Sequence, residues 1–291
     1  MSYQEYRPSS FQILPPVIKN LLIINTLLLI AKFVLSSSFN IELSEILGLH
    51  FFFASDFRPY QLITYMFMHG DFFHLLSNMF ALWMFGSTLE NFWGGKRFLT
   101  FYLITGLGAA LTHYLVFYFG IPHVYSGIRP TLDVVNSYIS NPDLKTFETF
   151  FQSEHLKIVS NEMRNQVNDL VTHFNSMEAS GDKTGMLNAS VDFMRSYKEE
   201  LLNAPVVVGA SGSIFGVLLA FGMLFPNTLL YVYFAIPVKA KYFVIIYGAI
   251  ELFSGIQNNP ADNVAHFAHL GGMLFGFILI KYWGRNRANF Y

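Results

Sequence analysis

The chain has 291 residues, of which 53% are hydrophobic and only 13% charged, against about 25% charged in ordinary soluble domains. Thirty-two phenylalanines push the same way, so the bulk of this apolar surface is expected to face lipid. A net charge of -1 offers no argument for a nucleic-acid partner, and the lack of cysteine excludes disulfides, thiolate metal sites and a cysteine nucleophile.

Residues 1–17 are polar, carry Arg7 and end at Pro15-Pro16, which reads as a cytoplasmic segment and not a cleavable signal peptide. Ile18 to Leu35 is the first predicted span, with Lys32 near its end placed to snorkel to the headgroups. Asn40 to Tyr60 mixes Glu42, Glu45 and Asp56 with Phe51-Phe52-Phe53, too polar to cross and aromatic enough to lie partly in the interface. Phe72 to Phe92 and Phe98 to Phe119 are the second and third spans. Pro205 to Pro226 supplies the fourth, uncharged from Val206 to Phe225, where roughly 20 apolar residues suffice to cross. Residues 227–241 read as a re-entrant or interfacial lead-in to a fifth span at about Lys239 to Ser254, and the sixth runs from Val264 to about Tyr282. Basic residues recur at every second boundary, which by the positive-inside rule puts both termini, including the tail 285–291, in the cytoplasm. The start of the fourth span then lies on the outer side.

Residues 121–203 interrupt this pattern. The stretch is polar and more acidic than basic, and carries helical apolar spacing such as Phe147, Phe150, Phe151 and Val167, Leu170, Val171, Phe174. Gly181-Asp182 breaks it, and Thr184 to Leu202 reads as a further helix. An extra-membrane helical insertion is expected, between core segments 18–120 and 204–284, resting over or beside a cavity mouth and screening substrates. A solvated insertion without chemistry fits the same pattern.

Polar residues inside spans are costly in lipid and so mark candidate sites. His74 and Asn78, four apart, share a face of the second helix near its outer end. Gly209-Ala210-Ser211-Gly212-Ser213 opens the fourth span at that level, and His266 and His269 lie near the outer end of the sixth. Gly212 and Gly216, and Gly272 and Gly276, have the small-xxx-small spacing of close helix contacts. Each polar group taken singly fits a helix-packing hydrogen bond or, for Ser211, an N-cap. Together they suit acyl transfer: a serine nucleophile, a histidine base, and oxyanion donors from His74, the Asn78 carboxamide and the Ser211 backbone N–H. None of these three spans carries a carboxylate at that depth, so a Ser–His dyad is expected, not a triad.

His69-Gly-Asp-Phe-Phe-His74-Leu-Leu-Ser-Asn78, Gly209-Ala-Ser211-Gly212 and Ala268-His269-Leu-Gly-Gly272-Met-Leu-Phe-Gly276 resemble the three signatures of the rhomboid intramembrane serine proteases. The resemblance implies an all-α membrane protein with a six-helix rhomboid core and a water-filled cavity open to the outer face. It implies Ser211 as nucleophile, His269 as general base and His74 and Asn78 as oxyanion stabilisers, with Gly209 in the serine turn and Gly272 behind the base. Substrates would be transmembrane helices cut near their outer end, and a bacterial plasma membrane is the expected location. Two positions depart from the pattern. Phe215 stands where a tyrosine often packs on the base, and Tyr60-Gln61 where a Trp-Arg pair is common.

Other readings suit the same residues less well. An α/β-hydrolase elbow needs G-x-S-x-G between a soluble strand and helix, but Ser213 holds the second glycine's place. No H-E-x-x-H is present for a metalloprotease. Nothing in the sequence gathers His69, His74, His266 and His269 around one ion, so neither metal nor cofactor is expected. The alternative that survives is a catalytically silent rhomboid-like protein that binds or remodels membrane helices, although such relatives usually lack the serine or the histidine.

Overall fold

The computed structural model describes residues 11–121, 125–153, 156, 161–203, 206–232, 235–257 and 264–287. In chain order its helices are α1 (Pro16–Phe39), α2 (Leu43–Leu47), α3 (Gln61–Thr64), α4 (Phe72–Ala81), α5 (Ser87–Trp93), α6 (Gly95–Phe119), α7 (Arg129–Ser140), α8 (Leu144–Phe151), α9 (Asn161–Ser180), α10 (Lys183–Asn203), α11 (Ser211–Leu224), α12 (Ala240–Gln257) and α13 (His266–Arg287). The chain is mostly helical, and among the described residues the strands form two short hairpins, so the class is all-α. Two units are distinguished: Met1–Ser44 with Tyr65–Thr112 and Val208–Tyr291, and Glu45–Thr64 with His113–Val207. Most of the loop 257–263 between α12 and α13 lies outside the described residues.

The first unit is built from long apolar helices. Among the described residues, Pro16–Phe39, Phe72–Trp93, Gly95–Phe119 and His266–Gly284 are long and apolar enough to cross a membrane. Ile23, Ile24, Leu27, Ile30, Phe33 and Val34 stand exposed along α1. A water-facing helix would be polar there, so lipid is the solvent that suits this face. Pro16 opens α1 at a position that needs no N–H partner. The next two amides, of Val17 and Ile18, donate at 2.9 and 2.8 Å to the buried Glu90 carboxylate on α5. That carboxylate thus satisfies donors that a helix start leaves orphaned. Helices α4 and α5 form one rod joined by a π turn at Leu82–Gly86. A side chain at Gly86 would come 2.6 Å from Ile18 Cδ1, so glycine there lets α1 close on the rod. Helix α11 has 14 residues, fewer than the fourth span expected, because the chain before Ser211 is held in an irregular turn. The lead-in to α12 is a hairpin of two strands, Leu229–Val232 and Ile236–Lys239.

In the second unit, helices α7 to α10 cover one another. Phe147 and Phe150 of α8 are buried with Phe193, Met194 and Tyr197 of α10, and the Phe150 and Tyr197 rings meet edge-on at 5.5 Å. Phe147, Phe150 and Leu170 of the apolar spacing along residues 143–179 therefore face a protein core, while Val171 stays exposed. Gly181, at φ 73°, ends α9 in the left-handed region that favours glycine. Helix α7, not among the elements expected from sequence, buries Leu132, Val135 and Tyr138 on one face and has Pro130 at its start. Asn203, at the end of α10, is tied to the first loop: its Oδ1 accepts from the Asp56 amide at 3.2 Å and its Nδ2 donates to Ser55 Oγ at 3.0 Å. Gln61, in place of the arginine expected of the family pattern, is buried and staples that loop. Its Oε1 accepts from the Arg58 amide at 3.0 Å and its Nε2 donates to the Asp56 carbonyl at 3.1 Å.

Candidate active site

Ser211 is the first residue of α11, and the turn before it is forced by Gly209. Gly209 has φ 132°, and a Cβ there would meet His74 Nε2 at 2.9 Å, so both backbone and space require glycine. Its amide donates to the Tyr65 carbonyl at 2.9 Å, which anchors the turn. The Ser211 amide belongs to the first turn of the helix, where donors have no intrahelical partner. Ser213, two residues on, is buried and donates to the Tyr102 carbonyl at 2.8 Å, turned away from the turn that holds Ser211.

Glycine contacts bring α13 against α11. A Cβ on Gly272 would lie 1.8 Å from the Gly212 carbonyl oxygen, and one on Gly276 would lie 3.3 Å from Gly216 Cα. The two backbones therefore touch along the small-xxx-small faces read in the sequence. This approach puts His269 Nε2 2.8 Å from Ser211 Oγ, within hydrogen-bond reach of the serine proton. The Phe215 ring, one turn below Ser211, stacks on the His269 imidazole with centroids 4.2 Å apart and planes 8° from parallel. Tyr247 stacks on the other face of Phe215 at 5.3 Å and 2°.

A carboxylate also reaches the base, from a fourth helix. Glu251 of α12 places Oε2 2.8 Å from His269 Nδ1 and 2.7 Å from His266 Nδ1. No carboxylate comes from the three motif-bearing helices, and α12 brings one in laterally. The available signal was an acidic residue inside the predicted fifth span, four after Tyr247 and so on its face.

His74 sits beside the serine turn, its Nε2 next to Gly209. Its amide donates at 2.9 Å to Asp71, the N-cap of α4, and that N–H holds the Asp71 carboxyl below the usual carboxylate range. The Gly70 amide faces His74 Nδ1 at 3.4 Å, which makes Nδ1 the acceptor and leaves Nε2–H directed at the Gly209 turn. Asn78 is buried one turn further, with Nδ2 3.0 Å from His69 Nε2. Burial, with a smaller effect of His74, pushes the His69 imidazole down to about 3, so it is neutral and accepts one of the amide hydrogens. The Lys32 ammonium donates to the His69 and Gly70 carbonyls at 3.0 and 2.7 Å and clamps the approach to α4 onto α1. An open hollow of about 710 Å³ adjoins His74, lined by Asp71, Phe73, Leu76, Ser77 and Phe80.

The structure thus gathers Ser211, His269, Phe215, His74 and the glycines 209, 212 and 272 around one helix start. A histidine network carries Asn78 on one side and a glutamate stands behind the base on the other. Comparison with known proteins gives two findings. The Rhomboid domain family model matches residues 56–124 and 182–286, together more than half of the chain, and leaves 125–181 outside the match. Over 57 residues the chain is 42% identical to "Rhomboid-like protein 11, chloroplastic" of Arabidopsis thaliana, which covers 20% of this chain and 20% of that protein's length.

Proposed function

The chain belongs to the rhomboid family, and on that premise we propose that it is an intramembrane serine endopeptidase that cleaves transmembrane helices of other membrane proteins near their outer end. It is an integral membrane protein. The proposal includes six spans, α11 and α12 completing the four long apolar helices, with both termini cytoplasmic in a bacterial plasma membrane.

One observation carries the reading: Ser211 Oγ and His269 Nε2 lie 2.8 Å apart at a helix start. In the first step the serine proton passes to His269 Nε2 as Oγ attacks the scissile carbonyl carbon. The oxygen of that carbonyl takes up the negative charge, and the Ser211 amide, His74 Nε2–H and the Asn78 carboxamide are the donors assigned to it. One such donor typically contributes about 100- to 1000-fold in rate. The imidazolium then returns its proton to the leaving amine. Water repeats the sequence on the acyl-enzyme, with His269 again as base. Phe215 shields one face of the imidazole from solvent, and no cofactor takes part in these steps.

The test is labelling of the purified protein by a fluorophosphonate, together with cleavage of a model transmembrane substrate in proteoliposomes. Both are expected in the wild type and neither in Ser211→Ala, whose unfolding temperature stays near wild type. Cleavage by Ser211→Ala at more than a small fraction of the wild-type rate would remove Ser211 from the chemistry.

A further inference from the structure

We propose that Glu251 is the positioning residue of this active site, so that the reacting unit is a Ser211–His269–Glu251 relay in which the carboxylate, itself oriented by His266, fixes the tautomer of the base. This rests on the serine-protease reading and adds a third member to it.

The geometry is that of a relay. The two ring nitrogens of His269 are each engaged at 2.8 Å, Nε2 by Ser211 Oγ and Nδ1 by Glu251 Oε2. An ionised carboxylate only accepts hydrogen bonds, so Nδ1 must carry the proton. Nε2 is then the lone-pair nitrogen facing the serine, the form a general base needs. A dyad without this contact leaves the choice of tautomer to solvent.

Burial makes the contact purposeful. Glu251 is 7% exposed, while Ile250, Leu252 and Phe253 beside it stand out on the apolar surface of α12. An isolated carboxylate is costly in that setting and persists where partners hold it. Its ion-pair partners among the described residues are the imidazoles of His266 and His269. Tyr247, four residues earlier, stacks on Phe215, which stacks on His269, so one face of α12 grips the base both from behind and through its ring. Among the described residues, the titratable groups beside His269 are Glu251 from α12, His266 from its own helix and His74 from α4, with the Ser211 hydroxyl from α11; Tyr247 of α12 stands next to Glu251.

The proton inventory closes. Attack of Oγ on the carbonyl carbon sends the serine proton to Nε2. The Nδ1–H remains on the ring, and the imidazolium formed lies against a negative Oε2. Collapse of the tetrahedral intermediate breaks the C–N bond and returns the Nε2 proton to the amine. Glu251 keeps its charge throughout, gaining and losing no proton.

A metal ion offers another account, since donor atoms of Glu251, His266 and His269 lie within 4.8 Å of one another. The nitrogen–oxygen separations of 2.7 and 2.8 Å are N–H···O distances. Ligands around tetrahedral zinc at about 2.0–2.1 Å stand roughly 3.3 Å apart. The geometry fits protons between these atoms.

The experiment measures kcat and KM for a transmembrane substrate in proteoliposomes with wild type, Glu251→Gln and Glu251→Asp. Glu251→Gln keeps the shape but offers Nδ1 an amide in place of an anion. Its kcat is expected to fall about 100- to 10,000-fold with KM within about twofold. Glu251→Asp, which restores the charge, is expected to recover at least tenfold over the glutamine variant. In the wild type itself, ¹⁵N shifts of labelled histidine should report His269 with Nδ1 protonated and Nε2 bare. Wild-type kcat in Glu251→Gln, a loss carried by KM, or an Nε2–H tautomer for His269 would each overturn the proposal. So would activity lost to a chelator and restored by zinc. Retained cleavage by Glu251→Gln together with an inactive Ser211→Ala sinks the relay alone, whereas retained cleavage by Ser211→Ala sinks the protease reading beneath it.

Discussion

Gly272→Ala tests whether the meeting of α11 and α13 sets the catalytic distance. The added Cβ would lie 1.8 Å from the Gly212 carbonyl oxygen, which is backbone and cannot swing away as a side chain would. To reach van der Waals separation the two helices must part locally by roughly 1.5 Å. Gly212 follows Ser211 directly, and Gly272 is one turn after His269, so the displacement falls on the reacting pair. Adding most of it to the 2.8 Å between Oγ and Nε2 takes the pair beyond hydrogen-bond range. A misplacement of about 1 Å typically costs about 100-fold, or roughly 2.7 kcal/mol of barrier. Overpacking should also cost about 1–3 kcal/mol of stability. Cleavage in proteoliposomes should therefore drop at least 100-fold, with a lowered unfolding temperature in detergent. Gly284→Ala, where an added Cβ meets nothing within 4 Å, should change neither. Wild-type turnover by a folded Gly272→Ala would show that the distance is set elsewhere and refute the reasoning.

Two more outcomes follow from the same geometry. His269→Ala should lose about 10,000-fold or more in kcat, as removal of a general base does in serine proteases, while His266→Ala, which leaves the Ser211–His269 contact intact and loosens only the carboxylate behind it, should lose about tenfold; comparing their cleavage rates decides, and the reverse order would reassign the base. Replacing residues Asp133 to Leu201 by a short Gly/Ser linker should leave fluorophosphonate labelling of Ser211 intact while shifting preference among transmembrane substrates, because the apolar residues of α7 to α10 are spent on one another; loss of labelling in a folded variant would make the insertion part of the catalytic centre.

Much of the site could be read without coordinates, because its members are local. His74 and Asn78 share a face by their spacing of four on one helix, and Gly209 and Gly212 flank Ser211 in one short turn. Gly272 and Gly276 mark the face of α13 that must meet another backbone. Helical period and glycine are properties of a segment, and a segment carries them wherever it packs. What the coordinates added are relations between segments. Glu251 points at His269 only because α12 presents its Tyr247–Glu251 face to α11 and α13, and periodicity along α12 does not say which way that face turns. The Lys32 ammonium finds the carbonyls of His69 and Gly70, partners that the sequence does not name. Hydropathy continues through residues 206–209, yet the helix starts only at Ser211, because the backbone before it is bent by the φ of Gly209 and by its bond to the Tyr65 carbonyl. Burying a charged group depends on what another helix supplies, and that supply is a tertiary fact.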